Sequence, residues 1–402
     1  MPFAIYVLGL TIFSMTTSEF MVAGMIDSLS KEFGVSVSAV GYLISGYAGA
    51  MVIGGPVLTV GLLNIPKKKA LLALVTFFLI GQSLGALAWS YESMMVARII
   101  TGVASSAGFG VSLSICAGLV GPESRGRAAS IVIGGLMVAT VIGLPAATLI
   151  EQAFGWRTSF WVVVVLVLLS GIATQWLIPA SPKPEPISLR GELAAFNNRS
   201  LWAAYATSSL IIGATFAAFS YFSPILTEVT GFAPTMVPFL LSLYGMATVI
   251  GNIITGRLAD RYAMKILAGG LLLLTAGLIT FALGAHNNVI TIIAVIVIGI
   301  VGVPMNPAMA TRVMRSAGTG PLVNTVHTSV ITFGVMAGSM IGGLTISGGY
   351  GLVSPLWVGS LFGVLGLLSL LPYVREISQN ESKSTKHRKY LNEDNKVVCS
   401  KT

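Results

Sequence analysis

Two charged side chains stand inside otherwise apolar stretches, and they are the residues most able to do chemistry. Glu19 lies in the run from residue 3 to residue 26, which holds no other Asp, Glu, His, Lys or Arg, and Arg98 lies alone in the run 94–118. A charge within such a run is costly and normally faces a cavity or a partner. A buried carboxyl group can take up and release a proton, and a nearby arginine tunes that exchange.

The depths of the two charges are similar if both runs are helices. Glu19 stands seven residues before Ile26, roughly 10 Å deep, and Arg98 stands five residues after Ser93, roughly 8 Å deep. We therefore expect both to face a central cavity, with Glu19 as a proton carrier. Two other interpretations remain open: a static ion pair that clamps the first helix to the fourth, and a Glu19 that reaches the outer interface without a role.

Composition places these charges in a membrane protein. The chain has 402 residues, of which 54% are hydrophobic and only 9% are charged, and its mean hydropathy is +0.87. A soluble domain carries roughly a quarter charged residues. We predict an all-α integral membrane protein, whose first run is a retained helix because no positively charged segment precedes it.

Apolar runs of spanning length recur twelve times along the chain. The predicted spans are 3–26, 38–61, 70–89, 94–118, 126–150, 158–178, 201–224, 234–256, 265–285, 289–311, 323–346 and 353–374. They divide the chain into a six-helix bundle at 1–178, a cytoplasmic linker at 179–200, a second six-helix bundle at 201–374, and a disordered cytoplasmic tail at 375–402.

Basic residues sort the loops into two sides. One set of alternate loops carries most of the Lys and Arg residues, including Lys67–Lys69, and the opposite set carries only Lys31 and Arg157. Basic loops are typical of the cytoplasmic face, so both termini are predicted inside a cell membrane. The same asymmetry accounts for the net charge of +9 without a nucleic-acid partner.

The two predicted bundles resemble each other. Residues 41–55 match residues 238–252 at an offset of 197, and residues 135–143 match 334–342 at an offset of 199. Duplication explains two matches in equivalent helices better than chance does. We expect two pseudo-symmetric six-helix halves with a substrate site between them near mid-membrane.

The stretch "GRLADRYAMK" (256–265) resembles the signature loop of the major facilitator superfamily. The matching residues are Gly256, Leu258, Ala259, Asp260, Arg261 and Lys265. The resemblance implies a cytoplasmic gate formed by Gly256, Asp260, Arg261 and Lys265. We expect Gly256 to permit a close helix approach and Asp260 to cap the next helix. The first-half counterpart departs from the pattern, with Ile65 in the position of the aspartate.

Further motifs resemble the drug-efflux branch of that superfamily. "ARIITGVASSAG" (97–108) resembles its R-x-x-x-G element through Arg98 and Gly102, and "GWR" (155–157) is typical of the branch. "TTSEFMVAG" resembles the first helix of bacterial efflux permeases for chloramphenicol, arabinose or purines. The antiporter G-P pair is only partial, since Leu144 separates its two residues.

The resemblance implies a monomeric transporter in a bacterial plasma membrane. Its expected activity is the export of small amphipathic compounds or drugs by proton antiport with alternating access. A dedicated exporter of a sugar or purine is the alternative, and a channel or a membrane sensor fits less well.

Aromatic side chains are candidates for the substrate site. Tyr47 and Tyr244 occupy matched positions in the repeat, and Phe219 and Tyr221 cluster in the seventh span. Flat rings suit flat apolar ligands. Packing within the bundles is the alternative for each of them.

The tenth span adds two more candidates. Met305 and Asn306 lie between Pro304 and Pro307, which should kink the helix. Broken helices usually line cavities, so we predict a substrate contact here, with a simple kink as the alternative. His327 is interpreted as an interfacial histidine rather than a proton relay.

Motifs for other chemistry are missing from the sequence. It contains no Walker-type phosphate loop and no Cys/His cluster. We therefore predict neither an enzyme nor a metal or cofactor site.

Overall fold

The structure is a computed structural model, and it describes residues 1–62, 65–121, 124–180, 195–317 and 321–373. Those residues form helices and connecting turns, without a β-strand among them. Most of the predicted linker and all of the predicted tail lie outside the described residues.

Within the described parts of the chain, twelve long helices cross the molecule and are labelled in chain order. They are α1 (Phe3–Gly24), α2 (Val37–Leu62), α3 (Lys67–Ala86), α4 (Tyr91–Gly118), α5 (Arg127–Phe154), α6 (Trp156–Leu177), α7 (Arg199–Phe219), α8 (237–261), α9 (263–284), α10 (Asn288–Ala317), α11 (Pro321–Thr345) and α12 (Ser354–Tyr373). A short helix, Ile26–Phe33, joins α1 to α2.

Helices α8 and α9 run into each other without a loop. Together they form the 48-residue stretch Val237–Gly284, roughly 72 Å at 1.5 Å per residue. That is more than twice a hydrocarbon core of about 30 Å, so the stretch makes two crossings. Tyr262, with φ −124° and ψ 23°, breaks the helix between them. The predicted loop at 257–264 is therefore wrong, but the predicted twelve spans are confirmed.

Side-chain caps start several spans. The Ser90 side chain accepts a hydrogen bond from the backbone N–H of Ser93, and the Ser93 side chain accepts one from Ser90, which closes a capping box before α4. Asn287 accepts bonds from the N–H groups of Val289 and Ile290 at the start of α10. Both caps fix where a spanning helix begins.

The internal repeat reappears in the packing. Gly102 of α4 packs against the backbone carbonyl of Tyr47 in α2. Gly299 of α10 packs in the same way against the carbonyl of Tyr244 in α8. Both pairs are separated by the offset of 197 found in the sequence repeat, so α2–α4 and α8–α10 are equivalent helix pairs.

A second pair of crossings repeats as well. Gly135 of α5 lies against the backbone carbonyl of Gly9 in α1, and Gly334 of α11 lies against that of Ser209 in α7. The two six-helix halves are therefore pseudo-symmetric, as the sequence predicted.

The halves are joined at one end of the molecule, here termed the closed end. It carries the short helix Ile26–Phe33 and the turns around residues 155, 230 and 350. Five hydrogen-bonded residue pairs join the two halves near this end. The bonded pairs are Asp27–Thr227, Gln152–Pro234, Gly41–Ser339, Ser38–Ser347 and Tyr42–Ser347.

Exposed aromatic side chains lie at both ends of the helix bundle. Trp89, Phe154 and Tyr350 stand at the closed end, and Trp176 and Trp202 stand at the opposite end. Such rings concentrate at membrane–water interfaces. The arrangement supports a molecule that spans the bilayer along the helix axes.

Candidate functional site

A cavity lies between the two halves, beneath the closed end. It is narrow in this conformation, with space for about one water molecule. Its lining residues come from α1, α2, α7 and α11, and they are Glu19, Phe20, Ala23, Ile44, Tyr47, Ala48, Phe216, Phe219 and Val335. Glu19 is the only charged residue among them; Arg98, which was also expected to face the cavity, is not part of its lining.

Arg98 holds the backbone of α1 beside Glu19. Its Nη1 atom donates to the carbonyl of Ser18 at 2.7 Å, and its Nη2 atom donates to the carbonyl of Glu19 at 3.0 Å. Within the described part of the chain, no basic group lies within 4.0 Å of the Glu19 carboxylate. The clamp between the first and fourth helices therefore exists, but it uses backbone carbonyls and not the predicted ion pair.

The Tyr47 ring lies against the flat face of the Arg98 guanidinium. The Cζ atom of Arg98 lies 4.1 Å from the centre of the Tyr47 ring, and each side chain is about 1% exposed. The Tyr47 hydroxyl and the Nε atom of Arg98 have no hydrogen-bond partner among the described residues. Tyr47 thus contacts both the cavity and the arginine behind it.

Gln82 of α3 is a contributor that the sequence reasoning missed. Its Oε1 atom accepts from the Ser18 hydroxyl at 2.6 Å, and its Nε2 atom donates to the carbonyl of Phe160 at 3.4 Å. The side chain is 1% exposed. A lone amide inside an apolar span was the signal that could have revealed it, because polar groups at that depth need partners.

Aromatic rings form much of the cavity wall. Phe219 of α7 stacks on Tyr244 of α8 with ring centres 5.0 Å apart. Phe216 and Phe20 complete the group, at 5.4 and 5.8 Å from Phe219. Phe219 lines the cavity, whereas Tyr244 supports Phe219 from behind.

Three predicted substrate residues lie away from this cavity. Tyr221, two residues beyond Phe219, is directed elsewhere: it is fully buried, and its hydroxyl donates to the carbonyl of Ser339 at 2.9 Å near the closed end. Met305 packs against Gly270 of α9, and Asn306 is exposed. The 3₁₀ turn Val303–Met305 produces the predicted break in α10, but none of the three lines the cavity.

The predicted gating residues stand at the opposite end. Arg261 and Lys265 lie 5.2 and 5.8 Å from the ring of Tyr262. A Cβ added to Gly256 would meet nothing within 4 Å, so the expected close helix approach is wrong in this conformation. The expected cap by Asp260 is also wrong, because the helix continues past it; its backbone carbonyl accepts a bond from Arg315.

His327 is buried rather than interfacial. It is 5% exposed, its Nε2 atom lies 3.0 Å from the Ser208 hydroxyl, and its ring stacks on Tyr205. The interpretation of His327 as an interfacial residue is therefore wrong, because its side chain is packed between α11 and α7.

Asp27 is an ionisable residue that joins the two halves at the closed end. Its Oδ2 atom accepts from the hydroxyl of Thr227 in the other half at 3.3 Å, and its Oδ1 atom is buried without a partner among the described residues. Burial raises the pKa of the Asp27 carboxyl, and the bond from Thr227 opposes this in part. Asp27 therefore accepts a proton more readily here than it would in an exposed position.

Comparison with known proteins identifies the family. The sequence model of the Major Facilitator Superfamily matches residues 8–321. The chain belongs to this superfamily. Members of the major facilitator superfamily are transporters and not enzymes, so the predicted family and the predicted class of protein are both confirmed.

Several curated relatives match over nearly the whole length. The "Chloramphenicol resistance protein" of Streptomyces lividans is 30% identical over 93% of this chain and 96% of the relative. The "Inner membrane transport protein YdhP" of Escherichia coli is 32% identical with the same coverage. The "Putative transporter AraJ" of E. coli is 28% identical over 64% of this chain and 65% of the relative.

Solved structures share the fold. A bacterial homologue of the human lysosomal transporter Spinster, in an inward-facing and occupied conformation, aligns with a TM-score of 0.71 at 13% identity. It covers 93% of this chain and 96% of that one. The human organic anion transporter MFSD10 aligns with a TM-score of 0.66 at 13% identity, covering 91% and 97% of the two chains.

Proposed function

We propose that the protein exports small amphipathic compounds from a bacterial cytoplasm in exchange for protons. The observation that carries this proposal is the Glu19 carboxylate. It has no ion-pair partner in the described part of the chain, and it lies on the wall of a cavity between two halves of a transporter fold. A carboxyl group so placed can bind a proton on one side of the membrane and release it on the other.

The proposed membrane orientation puts the closed end outside the cell and both termini in the cytoplasm. The excess of Lys and Arg on the loops at the opposite end supports it. In this orientation the molecule is sealed from the outside. Export then requires the contacts at the closed end to separate, while the Asp260, Arg261 and Lys265 region closes the other side.

The proposed substrate class follows from the cavity wall. Apart from Glu19 it consists of aromatic and aliphatic side chains, including Phe216 and Phe219 from the second half. Such a surface suits flat, largely apolar molecules. A relative named for chloramphenicol resistance supports export of a drug-sized compound.

Transport in inside-out vesicles tests the proposal. With an imposed pH gradient, the wild-type protein is expected to accumulate a compound from a panel of drugs, sugars and nucleobases. Glu19→Gln is expected to reduce accumulation to the level seen without the gradient, because the amide cannot exchange a proton. Glu228→Gln, which changes an exposed carboxylate, serves as the control and should behave as wild type.

The outcome that rejects the proposal is equally definite. If the Glu19→Gln protein still accumulates substrate to the full extent that the pH gradient allows, Glu19 is not the coupling group. Accumulation of a single sugar or purine alone would replace the drug exporter by a dedicated metabolite exporter.

A further inference from the structure

Tyr47 occupies an unusual place between the cavity and the buried arginine. We propose that Tyr47 is a positioning residue for proton exchange at Glu19: its ring holds the Arg98 guanidinium on the α1 backbone and away from the Glu19 carboxylate. This inference rests on the proposed function, in which Glu19 carries the proton.

The contacts of Arg98 define what the tyrosine does. The two Nη atoms are bound to the carbonyls of Ser18 and Glu19. The flat face of the guanidinium is covered by the Tyr47 ring at 4.1 Å. A cation on an aromatic face is attracted to it, the more so where water is excluded, and both side chains here are about 1% exposed.

The proton affinity of the Glu19 carboxylate depends on where Arg98 lies, because no other charged residue lines the cavity. Arg98 of α4 is the charged side chain facing it, and Tyr47 of α2 is the other titratable group. From the second half, α7 and α11 present Phe216, Phe219 and Val335, which carry no charge. The position of one guanidinium therefore decides how readily Glu19 accepts a proton.

Comparison with the second half shows that a tyrosine at this position of the repeat need not hold an arginine. Tyr244 occupies the equivalent position in the second half, where Val295 replaces the arginine. Its ring stacks on Phe219 instead of on a cation. Tyr47 and Tyr244 are thus the same packing element, and only the first has an arginine to hold.

Removing the ring should let the arginine reach the acid. In Tyr47→Leu, the guanidinium loses its covered face and can turn toward the carboxylate. An arginine at close range generally lowers the pKa of a carboxylic acid by roughly one to three units. The pH at half-maximal transport should therefore move lower by about that amount.

The experiment measures pH profiles of substrate transport and apparent substrate affinity in reconstituted vesicles. Tyr47→Leu is expected to shift the profile toward acid, and Tyr47→Phe is expected to restore the wild-type profile because it keeps the ring. Tyr244→Leu is the matched control from the repeat: it should alter apparent affinity without moving the profile. Thermal unfolding of each variant in detergent checks folding, and Tyr47→Met is the substitute if the leucine variant is not folded.

Two results overturn the inference. An unshifted profile with weaker substrate binding in Tyr47→Leu would make Tyr47 a plain substrate contact. A shift in Tyr47→Phe equal to that in Tyr47→Leu would assign the effect to the hydroxyl. The Glu19→Gln variant distinguishes a failure of this inference from a failure of the proposed function. If it abolishes proton dependence while Tyr47→Leu leaves the pH profile unchanged, only the role of Tyr47 is rejected.

Discussion

At the scale of single residues, the cavity depends on a second layer of polar side chains. Gln82 and Arg98 both bind α1 at Ser18, one through its hydroxyl and the other through its carbonyl. Glu19 is the next residue along the chain. Its carboxylate is not paired with Arg98, whose two Nη atoms are bound to the carbonyls of Ser18 and Glu19.

Gln82→Leu is expected to destabilise the protein by about 1–3 kcal/mol. The substitution removes the acceptor of the buried Ser18 hydroxyl proton, and an unpaired buried polar group usually costs about this much. Thermal unfolding in detergent measures the loss. Thr76→Val, on an exposed face of the same helix, is the control and should stay within about 0.5 kcal/mol; an equally stable Gln82→Leu protein would contradict the network.

The sequence could locate the charged residues of the site but not their partners. Depth counted along a helix placed Glu19 and Arg98 at one level, because rise per residue is fixed. The direction of the arginine was not predictable, since two backbone carbonyls compete with one carboxylate. The same limit applies to Tyr221, whose helical face depends on how α7 packs on α11.

At the scale of helices, close crossings need residues without side chains. Gly102 of α4 lies directly on the carbonyl of Tyr47, whereas Gly110, further along the same helix, has nothing within 4 Å of an added Cβ. The two glycines therefore offer a comparison within one helix.

Gly102→Ala is expected to cost about 1–3 kcal/mol, because the added methyl group must push α4 away from α2. Gly110→Ala should be neutral or stabilising by about 0.5–1 kcal/mol, as expected for alanine in an open helical position. Unfolding midpoints of both variants, measured side by side, check the prediction. Equal effects of the two substitutions would contradict the close crossing.

Helix positions were predictable because a span needs about twenty apolar residues whatever surrounds it. The junction of α8 and α9 was not predictable. The charged residues at 256–265 are typical of a loop, yet the chain remains helical there. Helix propagation needs only backbone hydrogen bonds, which Arg and Lys satisfy as well as apolar residues do. Only Tyr262 departs from helical geometry within the stretch.

At the scale of the whole molecule, the two halves meet through small polar residues. The hydroxyls of Ser38 in α2 and Ser347 beyond α11 are 2.7 Å apart. Small side chains allow close contact and leave few bonds to break when the halves separate.

A disulfide between Ser38→Cys and Ser347→Cys is expected to lock the closed end and stop transport, and a reducing agent should restore it. The hydroxyl separation brings two thiols within bonding reach. Transport before and after reduction, with each single-cysteine variant as a control, gives the measurement. Full activity of the oxidised double variant would mean that this end need not open.

Pseudo-symmetry was predictable from the repeat, because both matches fall on helix pairs that cross in the same way in each half. The conformation was not predictable, because a duplicated sequence carries no information about which end of the molecule is closed. That choice depends on contacts such as Asp27–Thr227, which join residues with no sequence relationship.

The single carboxylate on the cavity wall also fixes an electrical property of the proposed cycle. One proton entering while a neutral cargo leaves moves one positive charge inward, and each 100 mV of membrane voltage then adds about 2.3 kcal/mol to the driving force. A monovalent organic cation would cancel that current and make the exchange indifferent to voltage. Current recordings would thus reveal the cargo's charge before its chemical identity is known.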